Sequence, residues 1–431
     1  MQFVINGGKK LKGEITLSGA KNATSKMLVA SLLTNDEVIL TNAPIISEVD
    51  ITLELCAAIG SEFKKDNHTI SIKTQNIKNS RVASLSRRNR IPILALGPLL
   101  ARARAAEIPF LGGDKIGARP VDLHLNALRA MGAIIEAEND VYKASAPLGL
   151  HGTEIIFNFP SVGATENVIL AAVLARGRTT IKNAAKEPEI IALVKMLQNM
   201  GAIIDIGSHR TIYIDGVQSL HGTSQEVLAD RNEAVSFACL AIATNGDVFV
   251  RGANQDHLIT FLSALRRVGA DYEVSNNGIR FWRSSKLIST NIETDTHPGF
   301  MTDWQQPFAV MLTQAEGESI IHETIYEDRF GYAEDLDKMG AKIKVFSECL
   351  GELPCRFKNS KFNHSAIITG PTPLYGAHLK VRDLRSGMAH TIAALVAKGE
   401  SVIDGIEEID RGYEKLEGRL QGLGADIIRV V

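Results

Sequence analysis

A glycine-rich loop at residues 111–122 places one carboxylate, Asp114, between two cations. Three glycines stand within six positions of this loop. A residue without a Cβ tolerates a positive φ and the close approach of a ligand. The acid is flanked by Lys115 and Arg119. This composition predicts a mobile lid that carries an acid to an anionic substrate. A solvated surface turn would have the same composition and is the alternative interpretation.

Cations recur at one predicted structural position elsewhere in the chain. Six stretches rich in Ala, Leu and Val predict buried helices, because they are apolar nearly all round. A cation at a helix N-terminus opposes the partial positive charge there, at a cost of a few tenths to about 1 kcal/mol. Because this cost is repeated, we infer a compensating phosphate. The four cations at helix starts are Lys21, Arg90, Arg231 and Arg385.

The other two helix starts carry different groups. Ser161, Val162 and Gly163 predict backbone N–H groups that approach a phosphate directly. Asp303 places a carboxylate at the same position. Taken singly, Asp303 is explained as an N-cap and each arginine as a salt-bridged surface group. The repeated placement favours a site, and we expect the six helix starts to face one cleft.

A repeated pattern indicates how these helices are positioned. An apolar stretch ends in glycine, and a short β-rich segment follows, with a period of roughly 70 residues that exceeds the usual solenoid range. Each glycine predicts a helix that ends in the left-handed conformation. Each repeat unit has the predicted element order βαβαββ. Six such units predict two domains of three repeats each, and we expect the active site where the domains meet. The glycines are Gly60, Gly132, Gly201, Gly269, Gly340 and Gly424.

Composition excludes several classes of protein. The chain has 431 residues, which is too many for one ordinary core. A net charge of −2 without a basic run argues against a nucleic-acid partner. The N-terminus lacks a signal peptide, and no apolar stretch approaches the ~20 residues that cross a membrane, so we expect a cytoplasmic protein. The four cysteines lack CxxC spacing and no nucleotide-cofactor motif is present, so we expect neither metal nor cofactor.

Long matching segments make this chain resemble the UDP-N-acetylglucosamine 1-carboxyvinyltransferases, enolpyruvyl transferases that begin peptidoglycan synthesis. The resemblance covers nearly the whole chain. It implies an α/β fold of two inside-out domains, each of three βαβαββ repeats, with the active site in the interdomain cleft. One domain would comprise residues 22–229, with the catalytic loop at 111–121, and the other residues 1–21 plus 230–431. The densest matches are residues 17–23, 112–124, 161–165, 183–190, 302–303 and 409–414.

The resemblance also implies the reaction and the roles of individual residues. The enolpyruvyl group of phosphoenolpyruvate would pass to the 3-hydroxyl of UDP-N-acetylglucosamine through a tetrahedral intermediate, with release of phosphate. Addition to an enol ether needs an acid and a base, and Asp114 and Asp303 are the candidates. The implied phosphoenolpyruvate contacts are Lys21, Arg119 and Arg411, with Arg90 close by. The implied contacts to the nucleotide sugar are Asn22, Arg119, Pro120, Val121, Asp122, Leu123, Ser161, Val162, Gly163, Asp303 and Ile325.

Three positions depart from the family pattern. Most members have cysteine where this chain has Asp114, which predicts that the cysteine-alkylating inhibitor fosfomycin will not act on it. Burial of Asp114 would raise its pKa, whereas Lys115 and Arg119 would lower it. Ser47 and Phe159 stand where many relatives have lysine. These two differences are compatible with an alternative function, in which the chain is a paralogue that acts on another nucleotide sugar or on shikimate 3-phosphate. A nucleotide-sugar-binding protein without turnover is the remaining alternative.

Overall fold

The computed structural model describes residues 1–82, 90–110, 112, 117, 120–353 and 355–430. These residues form two compact units. We call residues 19–113 and 120–228 the first unit, and residues 1–18 and 229–430 the second unit, to which Gly117 also belongs. The chain passes from one unit to the other after Ser18 and after Leu228, where the sequence predicted crossings after residues 21 and 229.

The chain opens with two strands of the second unit and then builds the first unit. These strands are β1 (Gln2–Asn6) and β2 (Lys12–Thr16). The elements of the first unit are α1 (Lys21–Ala30), β3 (Glu37–Thr41), α2 (Ser47–Ile59), β4 (Glu62–Asp66), β5 (Thr69–Lys73), α3 (Leu96–Ala103), β6 (Ala105–Pro109), α4 (Asp122–Ala130), β7 (Ile134–Glu138), β8 (Val141–Ser145), β9 (Glu154–Ile156), α5 (Val162–Ala172), β10 (Arg178–Lys182), α6 (Pro188–Asn199), β11 (Ile203–Ile206), β12 (Ile212–Asp215) and β13 (Thr223–Glu226).

The second unit continues from Ala229 with the same alternation of helix and strand. Short 3₁₀ turns precede some of its helices, including Thr302–Trp304 before α9. Its elements are α7 (Arg231–Ala243), β14 (Asp247–Arg251), α8 (Ile259–Val268), β15 (Asp271–Ser275), β16 (Gly278–Trp282), β17 (Ile292–Glu293), α9 (Gln305–Leu312), β18 (Gly317–His322), α10 (Ala333–Lys338), β19 (Lys342–Phe346), β20 (Ser365–Gly370), β21 (His378–Lys380), α11 (Leu384–Val396), β22 (Glu400–Asp404), α12 (Glu407–Asp410), α13 (Leu416–Gly422) and β23 (Asp426–Val430).

Each unit contains three small sheets, one for each repeat. In the first unit the strand orders are β13-β3-β5-β4, β6-β8-β7 and β11-β12-β10-β9. In the second they are β15-β16-β14-β2, β17-β18-β20-β19 and β21-β22-β1-β23. In a typical sheet one edge strand runs parallel to its neighbour, as β9 does to β10, and the other pairs are antiparallel. This recurring order confirms the predicted βαβαββ repeat.

Two repeats take their first strand from a distant part of the chain. Strand β2 leads into α1 of the first unit, but it pairs in parallel with β14 of the second. Strand β13 leads into α7 of the second unit, but it pairs in parallel with β3 of the first. The crossings after Ser18 and Leu228 therefore follow directly on these strands, and each strand completes a sheet of the unit that the chain is about to leave.

The Ala-rich helices form the centre of each unit. Every residue of α7 is buried, and in the second unit α7, α9 and α11 pack against one another. In the first unit α3 packs on α5, with α1 beside the turn that precedes α3. A helix that is apolar all round must be covered on every face. The prediction of buried helices is therefore confirmed.

The glycine that ends the second helix of each repeat has a positive φ. The values run from 80° at Gly269 to 128° at Gly60. A residue with a Cβ is strained in this region, so glycine lets each helix stop and turn into the next strand. The predicted C-caps are confirmed. Among the described helices, none combines the length and the apolar character needed to cross a bilayer.

Candidate active site

In the second unit, Asp303 is held by two buried arginines. Arg329 Nη2 donates to Asp303 Oδ1 at 2.5 Å, and Arg385 Nε donates to Oδ2 at 3.0 Å. The side chain of Asp303 is 22% exposed, whereas those of Arg329 and Arg385 are 2% and 5% exposed. The structure therefore brings Asp303 and Arg385 together, as the sequence predicted for one site, and adds Arg329.

The charges of this cluster support one another. Burial by itself would lower the pKa of Arg385, but the negative charge of Asp303 raises it above its ordinary value. The same balance raises the pKa of Arg329. Both guanidiniums therefore stay charged at any physiological pH. A carboxylate held by two charged guanidiniums has a fixed orientation, which suits it to bind a hydroxyl group.

Glu323 fixes the segments that carry Asp303 and Ile325. This buried carboxylate accepts hydrogen bonds from Thr302 Oγ1 at 2.9 Å and from Gln305 Nε2 at 3.0 Å, on either side of Asp303. Its other oxygen accepts from the backbone N–H of Ile325 at 2.8 Å. One side chain thus sets the position of the acid and of the predicted nucleotide contact.

The helix starts of α7 and α11 differ from the sequence-based interpretation. Asp230 caps α7 and accepts from the N–H of Asn232 at 2.7 Å, while Asp383 caps α11 and accepts from the N–H of Arg385 at 3.0 Å. These carboxylates offset the cations, so the cations at these two helix starts do not by themselves require a bound phosphate, and the phosphate there stays a prediction. Arg231 instead lies over the ring of Trp304, 5.6 Å from its centroid.

Arg411 lies at the end of α12 rather than at a helix start. Its Nη1 donates to Glu408 Oε2 at 2.7 Å, one turn earlier in the chain. The Arg411 side chain is 12% exposed and that of Glu408 is 38% exposed. The neighbouring Asp410 accepts two hydrogen bonds from Arg429. Glu408 therefore orients Arg411, whose predicted role toward phosphoenolpyruvate stays a prediction.

In the first unit, Lys21 and Asn22 open helix α1. Among the described residues no side chain caps this helix, and its first turn contains no acid. Lys21 Nζ lies 4.0 Å from Glu48 Oε1, and both side chains are largely buried. Within the described part of the chain, the start of α1 thus differs from those of α7 and α11, because no carboxylate caps it there. It retains the properties of an anion site.

The start of α5 offers fewer N–H groups than the sequence predicted. The N–H of Ser161 donates to Phe159 O at 2.8 Å, and its hydroxyl caps the helix by accepting from Ala164 N at 3.3 Å. The amides of Val162 and Gly163 lie at the first two helical positions, where no intrahelical acceptor exists. The candidate phosphate donors are therefore these two amides rather than three.

His124 is a candidate donor that the sequence analysis did not single out. Asn167 Nδ2 donates to its Nδ1 at 3.2 Å, which leaves the proton of a neutral ring on Nε2. Burial, and then the charge of Arg90, lower the pKa of His124 to about 3, so the ring is neutral. A Cβ built on Gly163 would lie 3.2 Å from His124 Nε2. Gly163 therefore leaves room beside the Nε2–H donor of His124. The sequence could have identified His124, because it is the last residue of the matching segment 112–124.

Residues 120–123, which the resemblance implies as contacts to the nucleotide sugar, lead into helix α4. Pro120 and Asp122 are exposed, and Val121 and Leu123 are half-buried. Asp114 and Arg119 lie outside the described residues. Gly117 of the same loop has a φ of 130°, and a Cβ there would overlap the carboxylate of Glu327. Glycine is therefore required at this position for both reasons.

Comparisons with known proteins give the family. The model of the EPSP synthase (3-phosphoshikimate 1-carboxyvinyltransferase) family matches residues 5–420. The chain is 48% identical to the UDP-N-acetylglucosamine 1-carboxyvinyltransferase of Protochlamydia amoebophila, over 98% of this chain and 93% of that protein. It is 41% identical to the Gluconobacter oxydans enzyme of the same name, over 100% of this chain and 99% of that protein.

Solved structures share the fold over the full length. The enolpyruvyl transferase NikO from Streptomyces tendae aligns with a TM-score of 0.88 at 23% identity, covering 99% of this chain and 98% of NikO. EPSP synthase from Acinetobacter baumannii aligns with a TM-score of 0.74 at 19% identity, covering 100% of both chains. The predicted α/β architecture of six βαβαββ repeats is thereby confirmed. The chain belongs to the EPSP synthase family of enolpyruvyl transferases.

Proposed function

We propose that this chain transfers the enolpyruvyl group of phosphoenolpyruvate to the 3-hydroxyl of UDP-N-acetylglucosamine and releases phosphate. This would be the first committed step of peptidoglycan synthesis, on which cell shape and division depend, and it would take place in the cytoplasm. The observation that carries the proposal is Asp303, a fixed and partly exposed carboxylate between two buried arginines. The names of relatives with 41–48% identity over the whole chain support the substrates.

Asp303 acts on the attacking hydroxyl. An alcohol adds to the enol ether when its proton is removed while the methylene carbon gains one. Asp303 accepts a hydrogen bond from the 3-hydroxyl and takes its proton as the new C–O bond forms. Because Arg329 and Arg385 weaken this carboxylate as a base, it is best suited to accept the proton late, once the hydroxyl is already bonding to carbon.

Cations and amides hold the phosphates. Lys21 at the uncapped start of α1, with Arg411, Arg90 and Arg119, binds phosphoenolpyruvate and offsets the charge that develops as phosphate leaves the tetrahedral intermediate. The amides of Val162 and Gly163, with the Nε2–H of His124, bind the diphosphate of the nucleotide. Asn22, the stretch 120–123 and Ile325 hold the sugar and uridine. No cofactor or metal takes part in these steps.

Asp114 supplies the proton at the methylene carbon in the addition, and its carboxylate takes a proton back from the resulting methyl group as phosphate leaves. An aspartate has an ordinary pKa of about 3.9, so it must be protonated by its surroundings to act as an acid near neutral pH. Closure of the loop over the substrate would remove water and favour the neutral acid. With aspartate at position 114, the chain lacks the thiolate that fosfomycin alkylates in cysteine-bearing relatives, so we propose that it is insensitive to this inhibitor.

Phosphate release measured with two acceptors tests the proposal. With phosphoenolpyruvate, we expect turnover with UDP-N-acetylglucosamine and none with shikimate 3-phosphate. Asp303→Asn keeps the shape of the side chain and should lower kcat by at least a hundredfold, while Asp328→Asn, an exposed neighbour, should not change it. Turnover with shikimate 3-phosphate alone, which the description of the matching family would favour, overturns the substrate assignment. Tight binding of the nucleotide sugar without phosphate release would identify a binding protein instead.

A further inference from the structure

Two cysteines and two histidines meet at one end of the sheet β17-β18-β20-β19. His322 is the last residue of β18, and His364 directly precedes β20, whose Ser365 pairs with His322 in the antiparallel register. Cys349 and Cys355 lie in the connection between β19 and β20. Both histidines are fully buried and both cysteines are half-buried. One nitrogen or sulfur atom from each of the four residues lies within 4.8 Å of the others.

Both imidazole rings are oriented in the manner of metal ligands. His322 Nδ1 lies 3.2 Å from Glu293 Oε2, and its buried Nε2 has no hydrogen-bond partner among the described residues. His364 Nδ1 lies 2.8 Å from the carbonyl oxygen of Phe362, and its Nε2 lies 3.3 Å from Cys349 Sγ. An oxygen acceptor at Nδ1 fixes the proton there and leaves a lone pair on Nε2. Metal-bound histidines are typically held in this way.

The loop around the cysteines is built to support sulfur ligands. The N–H of Phe357 donates to Cys355 Sγ at 3.4 Å, and the N–H of Lys358 donates to the carbonyl oxygen of Cys355 at 3.3 Å, which holds the backbone of this residue. Glu293, which orients His322, also accepts from the N–H groups of Glu352 at 2.9 Å and Leu353 at 2.8 Å. The carboxylate therefore ties the cysteine loop to the histidine that it orients.

Gly351 leaves the space that this arrangement needs. A Cβ at this position would overlap both His322 Nδ1 and the carboxylate of Glu293. The backbone of the cysteine loop thus passes directly against the pair that carries the unpartnered nitrogen.

We propose that Cys349, Cys355, His322 and His364 bind one zinc ion in a closed, structural site. Two thiolates and two imidazoles at tetrahedral positions are the ligand set that zinc prefers. Zn–S bonds of about 2.3 Å and Zn–N bonds of about 2.0 Å place the ligand atoms about 3.3–3.8 Å apart. The separation of Cys349 Sγ and His364 Nε2 already meets this value, and the wider pairs must close by about 1 Å. Four protein ligands leave no open position, so the ion has no part in the enolpyruvyl transfer.

The metal would anchor a segment that reaches the candidate active site. Arg356 follows Cys355 directly, donates to the carbonyl oxygen of Ile325 and lies 4.0 Å from Glu327. Ile325 is the predicted nucleotide contact, and its backbone N–H is held by Glu323. A zinc ion that fixes Cys355 therefore also fixes Arg356 against Ile325. The sequence predicted no metal because the cysteines lack CxxC spacing, and the fold supplies His322 from a neighbouring strand.

Metal analysis of the full-length chain tests this site. The protein is purified under reducing conditions, stripped with a chelator and dialysed against zinc or cobalt. We expect one zinc per chain, and with Co²⁺ we expect the intense visible bands and thiolate charge-transfer absorption of a tetrahedral sulfur-ligated ion. Cys349→Ser and Cys355→Ser should abolish both signals. Cys56→Ser, which changes a buried cysteine of the first unit, should retain them.

A second variant keeps the test decisive if the cysteine variants do not fold. Glu293→Gln preserves the shape of the residue that orients His322 and should weaken zinc binding by about 10- to 100-fold. Zinc should also raise the thermal midpoint of the wild-type chain, because it binds only the folded state.

Three results would overturn the zinc site. They are a reduced wild-type chain that binds no zinc, zinc retained by both cysteine variants, and a Cys349–Cys355 disulfide in freshly purified protein that gives no zinc site after reduction. The readouts do not depend on turnover, so the failure of this site and the failure of the proposed function are separate outcomes.

Discussion

Replacing Glu166 by glutamine should stabilise the chain, and the gain should grow as the pH rises. Glu166 lies within helix α5 of the first unit, and its side chain is buried. Its Oε2 has no hydrogen-bond partner among the described residues. Burial raises the pKa of Glu166 from 4.5 to about 7; the charge of Lys26 opposes this, and those of Glu189 and Glu187 add to it.

The magnitude follows from linkage between proton binding and folding. Between about pH 4.5 and about pH 7 the folded chain keeps a proton on Glu166 that the unfolded chain releases, so the free energy of unfolding falls as the pH rises. A shift from 4.5 to about 7 corresponds to about 3 kcal/mol, at about 1.4 kcal/mol for each pH unit. The penalty is absent below about pH 4.5 and complete above about pH 8. Glutamine does not titrate, so the unfolding free energy of the variant does not include this pH-dependent penalty.

The measurement is the difference in unfolding free energy between Glu166→Gln and wild type at several pH values. Effects of titrating groups that do not interact with Glu166 cancel in this difference, whereas Lys26, Glu187 and Glu189 can contribute to it. Both tryptophans, Trp282 and Trp304, lie in the second unit, so fluorescence reports that unit. Urea unfolding of the first unit is therefore followed by far-UV circular dichroism. The control is Glu62→Gln, which changes an exposed glutamate of the same unit.

The expected result is a difference that rises by about 3 kcal/mol from about pH 4.5 to about pH 8. Glu62→Gln should show no such rise. A Glu166→Gln difference that is flat with pH to within about 1 kcal/mol, or that falls, would refute the reasoning. It would mean that Lys26 or a rearrangement of the neighbouring acids keeps Glu166 ionised in the folded chain.

Three further predictions concern the site and its supports. Asp114→Asn should abolish phosphate release, whereas Asp114→Cys should keep it and gain a fosfomycin adduct by intact mass; normal turnover of the asparagine variant, or a stable adduct on wild-type Asp114, contradicts the assigned role. Arg329→Gln should lower kcat for phosphate release, because Asp303 loses the guanidinium that holds its Oδ1 in position; an unchanged kcat would show that Arg329 does not position this carboxylate. Asp230→Ala should cost about 1–2 kcal/mol of unfolding free energy in the second unit, through loss of the α7 cap, and an unchanged urea midpoint by tryptophan fluorescence would contradict it.

Local patterns in the sequence were sufficient for the repeat and its caps. The apolar stretches that are buried on every face, and the glycines such as Gly201 and Gly340 with positive φ, depend on helical periodicity and on the backbone of one residue. Both properties are local, so they can be read without knowing what packs where. The resemblance to enolpyruvyl transferases depended in the same way on continuous matching segments.

Long-range pairing could not be read from such patterns. No local pattern placed β2 and β13; the resemblance did, by assigning residues 1–21 to the domain of residues 230–431 and residues 22–229 to the other, and both strands pair accordingly. The sequence proposed phosphates at the starts of α7 and α11, where the aspartates of the chain itself serve as caps. A cation at a helix start has the same sequence signature whether a ligand or a capping acid offsets it, and only the side-chain geometry distinguishes the two.

The sequence alone determined that this chain is a sixfold βαβαββ protein of the enolpyruvyl transferase type, and it identified Asp303 and Arg385 as members of one site. The tertiary structure decided what surrounds them. Arg329 and Arg385 reach Asp303 from 26 and 82 residues away along the chain. His322 joins the Cys349 cluster from a separate strand. Hydrogen bonds and metal-ligand sets depend on distances in space. The spacing of residues along the sequence does not give these distances when the residues lie on different strands or helices.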